Sequence, residues 1–174
     1  MKKLSILFIA LTSILTACSS DDDSASNITG SIVGKWKAVS VDNSGTLEFS
    51  EKGNDITADF TGEAYNIDNV LVFTEKPNVL ASTGGFSSKL AVTFLGQTIT
   101  QKVEDLELLG GGTWIVNNDE LEITDGEEKG IIKIDKLTDS ELILIYKDQK
   151  SSFTDDEGTV IKFNADLVAT YKKQ

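Results

Sequence analysis

The chain has 174 residues, with 28 acidic and 16 basic side chains, no histidine and one cysteine. Every basic residue is lysine, which excludes nucleic-acid binding through clustered arginine forks and polybasic attachment to anionic lipid. A single thiol excludes a disulfide framework, so the fold must stand on its hydrophobic core.

Reading from the N-terminus, Lys2 and Lys3 precede an uncharged, largely apolar run from Leu4 to Thr16. Thirteen residues reach only ~20 Å as a helix, short of a hydrocarbon core of about 30 Å. Positive flank, short apolar run and small residues at its end describe a secretory signal peptide over residues 1–17. The following Leu15-Thr16-Ala17-Cys18 resembles the lipobox of bacterial lipoproteins. That resemblance implies a diacylglycerol on the Cys18 thiol, cleavage before it and attachment to a membrane. The run Ser19-Ser20-Asp21-Asp22-Asp23 resembles a surface-export signal, so the expected location is the outer membrane at the cell surface, with its periplasmic face as the alternative. Residues 18–31 are small, polar and acidic, the composition of a disordered tether. Without residues 1–17 the chain keeps 14 lysines against 28 acids, a net charge of −14.

Residues 32–174 form one expected domain, and its periodicity is two. Phe163, Ala165, Leu167, Ala169 and Tyr171 alternate with Lys162, Asn164, Asp166 and Thr170, the pattern of a half-buried strand. Similar runs occupy Lys35–Asp42, Asn69–Thr74, Phe86–Leu95, Thr113–Val116, Glu120–Thr124, Gly130–Leu137 and Glu141–Lys147. Turn signals separate them, among them Asn117-Asn118-Asp119, Asp125-Gly126 and Thr138-Asp139-Ser140. In Gln101–Leu109 the spacing of Val103, Leu106 and Leu109 predicts one short helix. The fold class is all-β: an antiparallel up-and-down barrel of about eight to ten strands, which closes its own edges.

Gly34-Lys35-Trp36, at the start of the first strand, resembles the lipocalin signature. That resemblance implies a barrel-closing role for Trp36, with a basic residue of the last strand, here Lys172 or Lys173, across its ring. Together with Gly112-Thr113-Trp114, Asn118–Leu121 and Lys136–Leu142, the pattern from Ile32 to Lys173 is similar to the lipocalin-like domains of bacterial surface lipoproteins.

The residue inventory argues against catalysis. Without histidine there is no Ser–His or Cys–His pair and no histidine metal site. Gly110-Gly111-Gly112 lacks the lysine of a phosphate loop, and Glu104, Asp105, Glu107, Asp119, Glu120 and Glu122 fall in turns or on polar strand faces. The expectation is no enzyme, no cofactor and no metal. The resemblance implies a binder of a small apolar ligand instead; the inward aromatics and aliphatics Phe86, Leu90, Phe94, Phe163 and Tyr171 are its candidate lining, and Asn78–Ser88 is a flexible lip if it opens as a loop. The alternative is an interaction module of an envelope assembly. Ile143 and Ile145 oppose Leu142, Leu144 and Tyr146 on one strand, so they need outside cover from a partner, a loop or the membrane.

Overall fold

The computed structural model describes residues 27–51, 54–154 and 159–174. The lipobox and the acidic run after Cys18 lie outside them. Among the described residues eleven antiparallel strands make up the fold: β1 (Gly34–Glu51), β2 (Asn54–Tyr65), β3 (Val70–Thr74), β4 (Val79–Thr83), β5 (Phe86–Phe94), β6 (Gln97–Leu106), β7 (Gly112–Asn117), β8 (Glu120–Asp125), β9 (Glu128–Leu137), β10 (Glu141–Thr154) and β11 (Val160–Lys173). Among the described residues there is no helix.

Eight of these strands close a ring, in the order β1-β3-β4-β7-β8-β9-β10-β11, with β11 paired back onto β1. The closure follows from β1, which is long enough to serve two neighbours on one edge. Its first residues, Gly34–Lys37, pair with β3, and its later residues, Asp42–Glu51, pair with β2. Its other edge pairs with β11 from Trp36 to Phe49. Beyond the ring the sheet therefore continues as an open extension, β10-β11-β1-β2-β5-β6. A bulge between Tyr146 and Gln149, with Asp148 at φ 51°, turns β10 from the ring into this extension.

Two readings of the sequence are corrected here. Gln101–Leu106 is strand, not helix. Val103 lies opposite Ser88 and Leu106 opposite Phe86, so three residues of β6 span two of β5. The spacing of three that imitates a helix is the mark of this bulge, where Asp105 takes a φ of 56°. The stretch Asn78–Ser88 is not a lip. It forms β4 and the start of β5, joined through Gly84-Gly85.

The core divides in two. The ring encloses Trp36, Leu71, Phe73, Leu80, Leu121, Ile134, Leu142, Leu144, Ala169 and Tyr171, all at most 1 % exposed. The extension gathers a second cluster, Leu47, Ala58, Phe60, Leu90 and Val92, on one face of its sheet. Residues 27–30, at the end of the expected tether, lie along β9. Ile28 bridges Leu137, whose carbonyl accepts from the Thr29 and Gly30 amides at 2.8 and 3.1 Å.

Candidate functional site

Trp36, near the start of β1, belongs to the ring core. Its indole is fully buried and donates to the Ile32 carbonyl at 2.7 Å. Lys173 Nζ stands 5.0 Å from the ring centroid and also donates to the Ser31 carbonyl at 3.1 Å. Gly34 makes this contact possible: with φ at +136°, its missing Cβ would stand 2.8 Å from Lys173 Cε. The second Gly-x-Trp places Trp114 edge-on to Phe73, centroids 5.7 Å apart, with its indole donating to the Thr74 carbonyl at 3.1 Å.

Around these tryptophans the ring core is made of buried side chains, and a small polar network crosses it. Tyr171 donates its hydroxyl to Asn69 Oδ1 at 3.0 Å, while Asn69 Nδ2 reaches Ser82 Oγ at 3.3 Å and the Thr83 carbonyl at 3.2 Å. The Asn69 carbonyl accepts from the Ala38 amide at 2.9 Å, so one buried asparagine ties β1, the β4–β5 turn and β11 together. The Tyr146 hydroxyl, equally buried, has the Tyr171 hydroxyl as its polar neighbour. Burial, with the neighbouring Tyr171, pushes its pKa well above the ordinary tyrosine value, and burial raises that of Tyr171 too.

The five expected lining residues do not converge. Phe86 and Tyr171 belong to the ring core, where they are buried among other side chains. Leu90 is in the second cluster, with Phe163 partly buried against it. Phe94, 38 % exposed, stands at the end of β5. Leu90 and Phe163 thus share an environment that neither Phe86 nor Tyr171 enters.

That shared environment is the least legible part of the sequence. Phe60 meets Phe163 edge-on, centroids 6.2 Å apart, across Gly45 of β1, which pairs with both Phe60 and Ala165. Where the two clusters meet, Asn43 donates to Ser88 Oγ at 3.1 Å, and its own Oδ1 is buried without a partner. Gly62 leaves it that space, since a Cβ there would stand 1.5 Å from Asn43 Oδ1. The signal for β2 is present as Ile56, Ala58, Phe60, Gly62 and Ala64, but three small residues in five dilute the alternation.

Two recesses lie outside the ring core. One, of about 480 Å³, is lined by Thr46, Glu48, Lys150–Ser152 and Lys162–Asn164, Phe163 among them. The other, of about 350 Å³, lies between Asn66, Asp68, the Gly84–Ser87 turn and Asp105–Glu107. Asp68 is engaged there, accepting from the Gly85 amide at 2.7 Å. Of the other acids singled out, Glu104, Asp119 and Glu120 are exposed, and Glu122 pairs with Lys129 at 2.8 Å. Ile143 and Ile145 point outward and are half-buried, opposite Lys136 and Lys133 of β9. Near them Glu141 sits between Lys136 and Lys172, whose hydrogen bonds hold its carboxyl down at about 2. No family model, curated protein or solved structure matches this chain.

Proposed function

We propose that this protein is a lipid-anchored, non-enzymatic binding protein of the cell envelope, held to the outer membrane through Cys18, and that it binds a small apolar ligand at its open extension. The observation that carries the reading is the split core. The ring is filled by fully buried side chains, whereas the second cluster is flanked by Val103, Ile161, Phe163 and Ala165, which are only partly buried. An apolar ligand entering between Phe60 and Phe163 would cover surface that the fold itself leaves half-covered. Leu90 and Phe163 keep the role that the sequence suggested, joined by Phe60, while Phe86 and Tyr171 serve as core. Native mass spectrometry of the protein extracted from its own membrane tests both halves. The expected spectrum shows a mass added at Cys18 and a second, dissociable mass of one apolar molecule. Phe60→Ala should lose the dissociable mass and keep the covalent one. A chain carrying neither mass overturns the reading.

The outward isoleucines favour a second reading, a protein-interaction module. Ile143 and Ile145 lie on the ring's outer face, beside Thr170 and Val168 of β11. Replacing both by threonine should weaken capture of an envelope partner while leaving the dissociable apolar mass in place. Unchanged capture removes this reading.

A further inference from the structure

The extension has two free edges, and only one is protected. The edge formed by the end of β10 carries Lys147 and Lys150, with Asp148 in a left-handed conformation and Lys147 held by Asp166. Charges and a kink are what keep exposed strands from pairing with other chains. The edge formed by β6 has neither between Gln97 and Gln101, where Gln, Thr, Ile, Thr and Gln are all exposed. Ile99 is 66 % exposed on it. Its first charge is Lys102, and its bulge begins only after Val103.

We propose that β6 pairs antiparallel with β6 of a second copy of this chain, about a two-fold axis through Gln101. A two-fold antiparallel pair keeps the same sheet face on both sides, so each residue meets one of equal parity in the other copy. With Gln101 opposite itself, Ile99 meets Val103 of the second copy, and Val103 meets its Ile99. Thr100 meets Lys102, and Thr98 meets Glu104, so no like charges are opposed. An axis through Lys102 opposes two lysines, and one through Thr100 sets Ile99 against Gln101. An axis through Ile99 leaves only five residues paired, Gln97–Gln101. The Gln101 axis alone covers the exposed isoleucine with an apolar residue along the full free edge.

Charge supports a second copy at this place. The chain carries 28 acids, yet residues 76–103 contain none and hold Lys76, Lys89 and Lys102. Along β6 itself Gln97–Val103 holds no acid and one lysine, Lys102, and Glu104 comes opposite Thr98, so two acidic chains that repel elsewhere can approach here, and added salt should strengthen the pairing by screening the remainder. The pairing joins the two extensions into one sheet, with the second clusters on the same face. It does not depend on Cys18 or on a bound ligand.

The test uses residues 19–174, which carry all eleven strands and no cysteine. Gln101→Cys places one thiol on the axis, where opposed Cβ atoms come within about 5 Å, close to disulfide reach. Mild oxidation should give a disulfide dimer, while Gln149→Cys on the protected edge should stay monomeric. Sedimentation of the unlabelled chain should show a dimer that grows with concentration and salt. Ile99→Lys, at an exposed position, should raise its dissociation constant at least tenfold with an unchanged melting temperature. A chain monomeric at millimolar concentration overturns the pairing. So does a dimer indifferent to Ile99→Lys, or a Gln149→Cys variant that cross-links as readily as Gln101→Cys, either of which would assign the contact to another surface.

Discussion

One sheet builds both the ring and the extension, and β1 and β11 run through both, yet the two regions use side-chain size in opposite ways. Inside the ring, aromatic, leucine and isoleucine side chains from seven strands meet at no more than 1 % exposure, and Trp114 of β7 joins them at 8 %. In the extension, β1 and β2 present Gly45, Ala58 and Gly62 on the inner face, and β11 presents Ala165. Gly45 cannot be enlarged, because a Cβ there would stand 2.0 Å from the Asn164 carbonyl oxygen of β11. Small residues let the strands curl closely around the few large ones, and Phe60 and Phe163 span the gap. The ring is a completed core; the extension is a core with one side left to be covered.

The largest test of that difference is a matched pair of truncations. Leu142→Ala empties a fully buried site among ring residues that cannot collapse, so it should cost about 4 kcal/mol by chemical denaturation. Leu90→Ala, 8 % exposed and next to half-covered neighbours, should cost about 2 kcal/mol. Amide exchange should order the regions in the same way, with β5 and β6 opening well before β3 and β10. Equal losses at the two leucines would make the extension as complete a core as the ring.

A pH scan sharpens the comparison next, since Tyr146 and Tyr171 lie in the ring core and none of the second-cluster residues titrates. Burial raises both pKa values above the ordinary 10.0. The unfolded chain therefore loses these protons first. Their contribution is complete below about pH 10 and is lost as pH rises from there through the folded-state values. Melting temperature should fall steeply above about pH 10. Tyr146→Phe removes a buried hydroxyl beside Tyr171, whose own bond to Asn69 stays in place, so it should be close to neutral at pH 7 and should flatten the alkaline fall. An alkaline fall that survives unchanged in Tyr146→Phe would point to a different titrating group. At the acid end, Glu141, held at about 2 between Lys136 and Lys172, gives stability present above its ordinary 4.5 and lost as pH falls towards 2. Because that triad is solvent-exposed, the loss should be small and screened by salt.

What the sequence shows and what it hides follow the same division. The ring strands β3, β7, β8, β9 and β10 have branched or large residues on the inward face, and their alternation reads directly. Trp36 is legible because tryptophan is rare, two in the chain, and Lys173 because the resemblance asks for a basic residue near the end of the last strand. The extension is harder to read. In β2 the alternation is diluted by alanine and glycine, and in β6 a bulge changes the phase between Val103 and Leu106 so that a strand imitates a helix. Tyr171 and Phe163 look equivalent on one alternating face of β11. They are separated only because β1 changes partner from β3 to β2 along its length, which puts them in different clusters. A pairing switch of that kind has no local sequence signature.

The smallest effect concerns the turn between β5 and β6, and it separates strain from packing. Leu95 and Gly96 connect Phe94 to Gln97 with positive φ at both residues, 48° and 78°, as a type I′ turn requires. Of the six non-glycine residues with positive φ among those described, four are Asn or Asp, whose short side chains tolerate this conformation. Leu95 has no such tolerance and is 87 % exposed, so the fold gains little burial in return. Leu95→Asn should therefore raise stability by about 0.5–1 kcal/mol, about 1–4 °C in melting temperature for a chain of this size. The gain should appear as slower exchange in β5 and β6 and leave the ring unchanged. A loss of stability on this substitution would mean that Leu95 packs against the extension in solution. In that case the turn would be part of the cover over the second cluster, and the extension would be less open than its exposed residues indicate.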